Sequence, residues 1–397
     1  MSPTIAPYSP TQDEVLHWLA LRMTPGLGTR TAVDLIRRFK TPQRIFQTST
    51  SELEAAGVAA GTARSITSGC AFEDAVTQQQ KMTASGTELV PLTDPRYSAH
   101  LKEIYDPPPM LFARGRVELL GRLGVAVVGT RRPSPYGIAA ATRLAGDLAN
   151  AGLVIVSGMA RGIDSAAHKA ALDSGGDTIA VFGCGVDELY PAENRKLSEQ
   201  IAERGLVLSD FPMGTPPYPQ NFPMRNRIVS GLSLGVLVVE GGQYSGSAIT
   251  AKLAADQSRE VFAIPGNITS KVSWGPNLLI KQGAKLVQEW NDVVVELKPE
   301  DRLWLAQRCR NRLNLKEKED PASGGLPQSS LDFGPMTALA RLILAGLTTD
   351  ARVGLDALIE SLPGHSPSEM IATLFELEIS GLVRQLPGKS FLRVWLE

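Results

Sequence analysis

Cysteine is scarce in this chain. Cys70, Cys184 and Cys309 are scattered, odd in number and form no CxxC pair. That excludes a disulfide frame and a cysteine-built zinc cluster, and fits buried thiols in a reducing compartment. Histidine is equally thin: His17, His100, His168 and His365 lie far apart, so a metal site made from them needs long-range convergence. No apolar run reaches membrane-spanning length, and the N-terminus has neither a basic start nor an apolar segment of signal-peptide type. These absences give the expectation of a soluble, cytoplasmic protein with no membrane partner. Charge bias is missing too, with a formal net charge of −1. A body that coats nucleic acid through overall positive charge is therefore excluded, and any such site must come from local cations. GxGxxG, a Walker lysine and an ordered Ser-His-Asp set are also absent.

What is present is an ordinary globular balance, 43% hydrophobic and 20% charged over 397 residues, enough for two to three domains. Residues 1–90 read as a helical domain behind a Pro/Ser-rich tail. Val15, Leu16, Leu19, Val33, Leu35 and Ile36 fall at helical spacing. Within it, Thr24-Pro25-Gly26-Leu27-Gly28 resembles the turn of a helix-hairpin-helix, whose glycines let helix-start amides approach a phosphate. A weaker echo surrounds Ala56-Gly57-Val58, and a plain helix–helix turn is the other reading of both. Residues 91–297 carry short apolar runs at 125–128, 154–156, 179–182, 206–208, 236–239 and 261–264, with helical stretches between them. That alternation predicts an α/β core with a parallel, doubly wound, Rossmann-like sheet whose ligands sit at the strand C-termini. Residues 298–334 read as a linker. Residues 335–397 read as three helices and a hairpin around Pro387-Gly388-Lys389, a small winged helix.

Five strand-end loops are the candidate site. The first holds Gly129, Thr130, Arg131 and Ser134, where glycine admits a close backbone and Arg131 can fork onto a phosphate. The second holds Gly158 and Arg161 and leads into a helix with Lys169; the third holds Arg195. The fourth, Phe222, Arg225, Asn226 and Arg227, pairs an aromatic face with guanidiniums, as a stacked base beside its backbone requires. The fifth, Ser245, Gly246 and Ser247, opens a helix and so favours an anion. Residue by residue, tight βα turns, arginines paired to Asp164, Asp187 or Asp210, and a core Phe222 explain each loop as well. Five such loops on one edge are harder to explain that way. Glu240 is the best general-base candidate, with loop-capping as its other reading; Asp164, Asp210 and His168 read as structural. A nucleotide-monophosphate-cleaving enzyme is the main alternative, but Ser247-Ala248-Ile249-Thr250-Ala251-Lys252 lacks the acid it calls for. A docking scaffold that reaches DNA through a partner is the third reading.

The segments GTRRPSPYG, SGMARGIDSAAHKAAL, GCGVDELYPAEN, NFPMRNRIVSGLS, SGSAITAKLAADQSREVFAIPGN and GPNLLIKQGA together resemble the bacterial DNA-processing protein A family, over roughly residues 90–295. The resemblance implies an extended Rossmann core without catalytic activity, cofactor or metal. It also implies cooperative binding of single-stranded DNA, and loading of the RecA recombinase past single-strand-binding protein during natural transformation and recombination. A homodimer through the Rossmann core is implied as well. Arg131 falls on the family arginine that grips the DNA backbone, and Phe222 and Arg225–Arg227 lie in the region of base and phosphate contacts. Gly241-Gly242 departs from the family pattern, in which alanine follows the glutamate. In the last domain Arg384, Lys389 and Arg393 cluster near the hairpin, where a wing contact and a protein-docking role both remain open.

Overall fold

Alternating apolar strands and helices build most of the chain, and the computed structural model describes residues 10–243, 245–312, 338–348, 352–379, 382–386 and 390–394. The chain divides into two units, Met1–Gln288 and Glu289–Glu397.

The first unit opens with six helices: α1 (Gln12–Met23), α2 (Thr29–Phe39), α3 (Pro42–Gln47), α4 (Thr50–Ala55), α5 (Ala60–Ser68) and α6 (Phe72–Ser85). Threonine or serine caps α1, α3 and α4 at their first turns, accepting backbone N–H groups that the helix itself cannot satisfy. Strands β1 (Glu88–Pro91) and β2 (Met110–Gly115), flanking the short α7 (Ala99–Lys102), then form an antiparallel pair. The six expected runs follow as β3 (Gly124–Val128), β4 (Val154–Ser157), β5 (Thr178–Val181), β6 (Leu206–Ser209), β7 (Gly235–Val238) and β8 (Glu260–Ala263). Two-residue β9 (Lys285–Leu286) closes the sheet. The helices between and after them are α8 (Pro135–Asn150), α9 (Ile163–Asp173), α10 (Arg195–Arg204), α11 (Asn221–Gly231), α12 (Gly246–Asp256) and α13 (Trp274–Lys281).

The nine strands run in the order β1-β2-β6-β5-β4-β3-β7-β8-β9, parallel from β6 onward. Chain direction across the sheet reverses at β3, which sits between β4 and β7. This is the switch point where α/β sheets open a ligand crevice. Side-chain alternation along β2 shows how both faces are covered. Met110 and Phe112 enter a core shared with Trp18, Leu19, Ile45 and Ile66 of the N-terminal helices, while Leu111 and Ala113 enter the opposite core with Ile228 and Ala251. The N-terminal helices thus share a hydrophobic core with the sheet.

The second unit contains α14 (Asn291–Val294), α15 (Pro299–Arg312), α16 (Ala338–Gly346), α17 (Leu355–Ser361), α18 (Pro367–Ile379) and a sheet ordered β10 (Val353–Gly354), β12 (Ser390–Arg393), β11 (Val383–Leu386). Ile343, Leu358, Met370, Leu374, Val383 and Phe391 make its core. This is the expected winged-helix pattern with a short third strand added. Lys389, at the tip of the expected wing, lies outside the described residues.

Candidate nucleic-acid interface

The crevice at the β3/β7 switch point is filled by protein. Glu240, 2% exposed, follows β7 and turns its carboxylate into the first loop. Its oxygens accept from the Ser134 N–H at 2.9 Å and the Ser134 hydroxyl at 2.5 Å. Ser134 in turn caps α8 by accepting from the Gly137 N–H at 3.1 Å, and a Cβ on Gly137 would lie 2.2 Å from a Glu240 oxygen. Thr130 N–H donates to the Glu240 carbonyl at 2.7 Å, which binds the two strand ends together. Of the two readings of Glu240, the geometry supports the loop-capping one.

Most of the remaining strand-end glycines are also required by the protein. A Cβ at Gly129 would meet the Ile163 side chain at 2.6 Å. At Gly158 it would sit 1.5 Å from Arg225 Nη1. Arg225 is 4% exposed and lies under the second loop, donating to the Val181 carbonyl at 2.9 Å. Burial lowers its pKa, with Asp164 opposing the shift. Asp164 itself accepts from the Gly158 and Ala160 N–H groups at 3.1 and 3.3 Å; burial raises its pKa and Arg225 counters. Arg225 and Asp164 are therefore struts that shape the loop, because a buried charge must be paired and hydrogen-bonded to persist.

Above these struts the loops form a shallow cleft lined by Arg131, Gly158, Ala160, Arg161, Tyr190, Pro191, Phe222 and Arg225. The Arg131 guanidinium lies 5.6 Å from the centre of the Phe222 ring, within cation–π range. Phe222 stands 5.4 Å from Tyr190 at a 44° tilt. Gly183 lets this happen, since a Cβ there would meet Phe222 at 2.8 Å. Arg131 and Arg161 are exposed, and Phe222 and Tyr190 are half-buried. Arg161 pairs with exposed Glu193 at 2.6 Å, which raises the arginine's pKa and lowers the glutamate's. Asn194 donates to the Met159 carbonyl and to the Ser165 hydroxyl, both at 2.9 Å, tying the third loop to the second. Arg195, exposed, begins α10 directly after this tie. Of its three arginines the cleft exposes two, Arg131 and Arg161, beside two aromatic rings, and no carboxylate is among its lining residues. Its chemistry suits a phosphate beside an unpaired base.

Several expected contributors point elsewhere. Arg227 is 7% exposed and pairs with Asp210 at 2.7 Å and Asp106 at 3.4 Å, so its guanidinium is structural. Lys169 is exposed but lies at the seventh position of α9; its neighbour His168 bonds Thr178 at the start of β5, the opposite end of the sheet. Ser247 is 4% exposed and shares a 2.7 Å hydrogen bond with Ser245, which caps Ala248 at the start of α12; Gly246 stays exposed. The hydroxyls of Ser134, Ser245 and Ser247 thus serve the protein rather than an anion. Thr130 accepts from the Arg132 N–H at 3.2 Å, and Asn226 is half-buried outside the cleft lining. Cys184 is buried, its thiol pushed up to about 12 by burial, but Cys70 is exposed, contrary to expectation. Tyr190 was not singled out from the sequence. Its signal is an aromatic residue beside proline in a strand-end loop, and only the fold brings it to Phe222.

A doubly wound sheet whose switch-point crevice is closed, and whose strand-end cleft combines exposed arginines with two tilted aromatic rings, defines a Rossmann-like fold adapted away from dinucleotide binding. Residues 88–298 match the family described as DNA recombination-mediator protein A, and residues 327–389 match the winged-helix domain of the same family. The chain is 44% identical over 213 residues to the DNA processing protein DprA of Bacillus subtilis, covering 53% of this chain and 72% of that one. It is 39% identical over 301 residues to protein Smf of Escherichia coli, covering 76% of each. The solved structure of DNA processing protein A from Streptococcus pneumoniae aligns at a TM-score of 0.62 and 34% identity, over 73% of this chain and 99% of that one. The chain belongs to the DNA recombination-mediator protein A family.

Proposed function

We propose that the strand-end cleft binds single-stranded DNA without catalysis. The observation that carries this is the Arg131–Phe222–Tyr190 cluster lining the cleft, a cation over one ring with a second ring tilted against it. Base–aromatic stacking is indifferent to sequence because every base has a π-face, and a duplex keeps its bases away from such a platform. The capping role of Glu240 leaves the nucleotide-cleaving alternative without its base. Family membership supports a place in DNA recombination and transformation. Within that place, the protein shields single strands and loads the RecA recombinase past single-strand-binding protein, acting as a homodimer through the core.

The test is anisotropy of a labelled oligothymidine and an equal-length duplex across a salt series. Phe222→Ala is expected to weaken single-strand binding by on the order of 1–3 kcal/mol. Arg131→Ala should weaken it and make it less salt-dependent. Unchanged single-strand affinity in both variants, with folding intact, overturns the reading.

A further inference from the structure

Two turns of the N-terminal helices have no place in the cleft. The first is a type II turn: Pro25 at its second position, Gly26 at φ 77° at its third, closed by Leu27 N–H to Thr24 O at 3.2 Å. It delivers the chain to α2, whose N-cap Gly28 supplies no side-chain cap. The second ends α4 with Gly57 at φ 88° and Val58 N–H bonded back to Leu53 O at 3.1 Å, then leads into α5, whose N-cap Ala59 again supplies no side-chain cap. The two turns meet: a Cβ on Gly26 would stand 2.7 Å from Thr62 Oγ1, in the first turn of α5. Thr62 is 8% exposed, and its hydroxyl bonds no described residue although it stands between two helix starts. Gly28, Gly57 and Gly61 face open space. Beside them Arg30, at the second position of α2, lies 4.6 Å over the ring of exposed Tyr105 and bonds its hydroxyl, which holds a cation next to the free amides.

We infer that these paired turns form a second DNA site, which grips the sugar–phosphate backbone of duplex DNA through the first-turn amides of α2 and α5, the Thr62 hydroxyl and Arg30. Uncapped helix starts are anion sites because their N–H groups and dipoles converge on one point. Neither turn carries an aromatic ring or a base-reading side chain, so the contact is to phosphate and independent of sequence. A duplex displays its phosphates outward without having to unstack. This site depends on neither Arg131 nor Phe222, so it and the cleft can fail separately.

The experiment uses the full chain with Arg131→Ala throughout and follows binding of a labelled blunt duplex. Gly28 has extended backbone at φ −75° and ψ 156°, so any residue fits there. Aspartate and serine both cap at least as well as glycine, and only aspartate places a charge where the phosphate would lie. Gly28→Asp is expected to weaken duplex binding about fivefold relative to Gly28→Ser, the size of a helix-end charge effect. Thr62→Val should weaken it while leaving the melting temperature unchanged, since the hydroxyl bonds no group among the described residues. Equal duplex affinity for the aspartate and serine variants overturns the proposal, as does absence of duplex binding by the Arg131→Ala parent at low salt.

Discussion

Arg225 separates two uses of one residue type. Its neighbour in space, Arg131, faces solvent over Phe222, while Arg225 is enclosed beneath Gly158. Gly158→Ala must expel that guanidinium from the Val181 carbonyl or shift the loop. We expect a loss of about 1–3 kcal/mol or more in urea unfolding, the usual cost of overpacking. Gly242→Ala, where the nearest atom to the new Cβ is at 4.0 Å, serves as the neutral control. Equal midpoints for the two variants would refute the strut. At this scale the sequence was only half informative. The meeting of Arg131 and Phe222 at the strand ends was legible, because a cation and an aromatic in neighbouring strand-end loops come together once the sheet forms. Arg225, Arg227, Ser134 and Ser247 were not, because composition cannot show which side of a loop a polar group faces. Glycine misleads in the same way: at Gly129 and Gly158 it makes room for protein atoms rather than for a phosphate.

Helix α9 and strand β5 are joined by a buried polar link. Thr178 donates to the Ile155 carbonyl at 2.6 Å and so accepts from His168 Nδ1–H at 2.7 Å, which leaves Nε2 unprotonated and buried without a partner among the described residues. Burial first, and Arg225 second, lower the His168 pKa from 6.5 to about 3. The unfolded chain therefore takes up the proton before the folded one does. Stability from this group is complete above pH 6.5 and is lost as pH falls toward 3. One proton corresponds to about 1.4 kcal/mol per pH unit, so roughly 2 kcal/mol should vanish between neutrality and pH 5. Denaturant melts of the parent and His168→Gln across that range test this: an equal slope in both excludes His168 as the source. Elements were more legible than residues. Six of the seven parallel strands, β3–β8, follow from apolar runs bounded by turns. Strands β1, β2 and β9 were missed because they are short, lie toward the sheet edges or follow a proline cluster. The helical pattern of the N-terminal segment was readable, but its shared core with the sheet was not, since no local periodicity encodes the partner of a buried face.

For the whole molecule, a net charge of −1 means that the proposed attraction to DNA must come from a few placed cations. Single-strand binding should therefore have a shallow salt dependence, losing about 0.7 in log–log slope for each phosphate contact removed. The closed crevice between β3 and β7 has a further effect on selectivity. Many sheets of this class hold a lone nucleotide there, in an enclosed pocket that a monomer can fill. Here Glu240 and Ser134 occupy that place, and what remains is the shallow cleft lined by Arg131, Arg161, Tyr190 and Phe222, which encloses no monomer. Such a cleft rewards polymers, because each additional residue of a strand adds its own weak grip while a free mononucleotide gains only one. Millimolar deoxynucleotides should then fail to displace a bound oligothymidine, whereas affinity should climb with oligomer length. On the proposed reading, the plug would thereby act as a filter for chain length, passing over loose nucleotides in favour of strands.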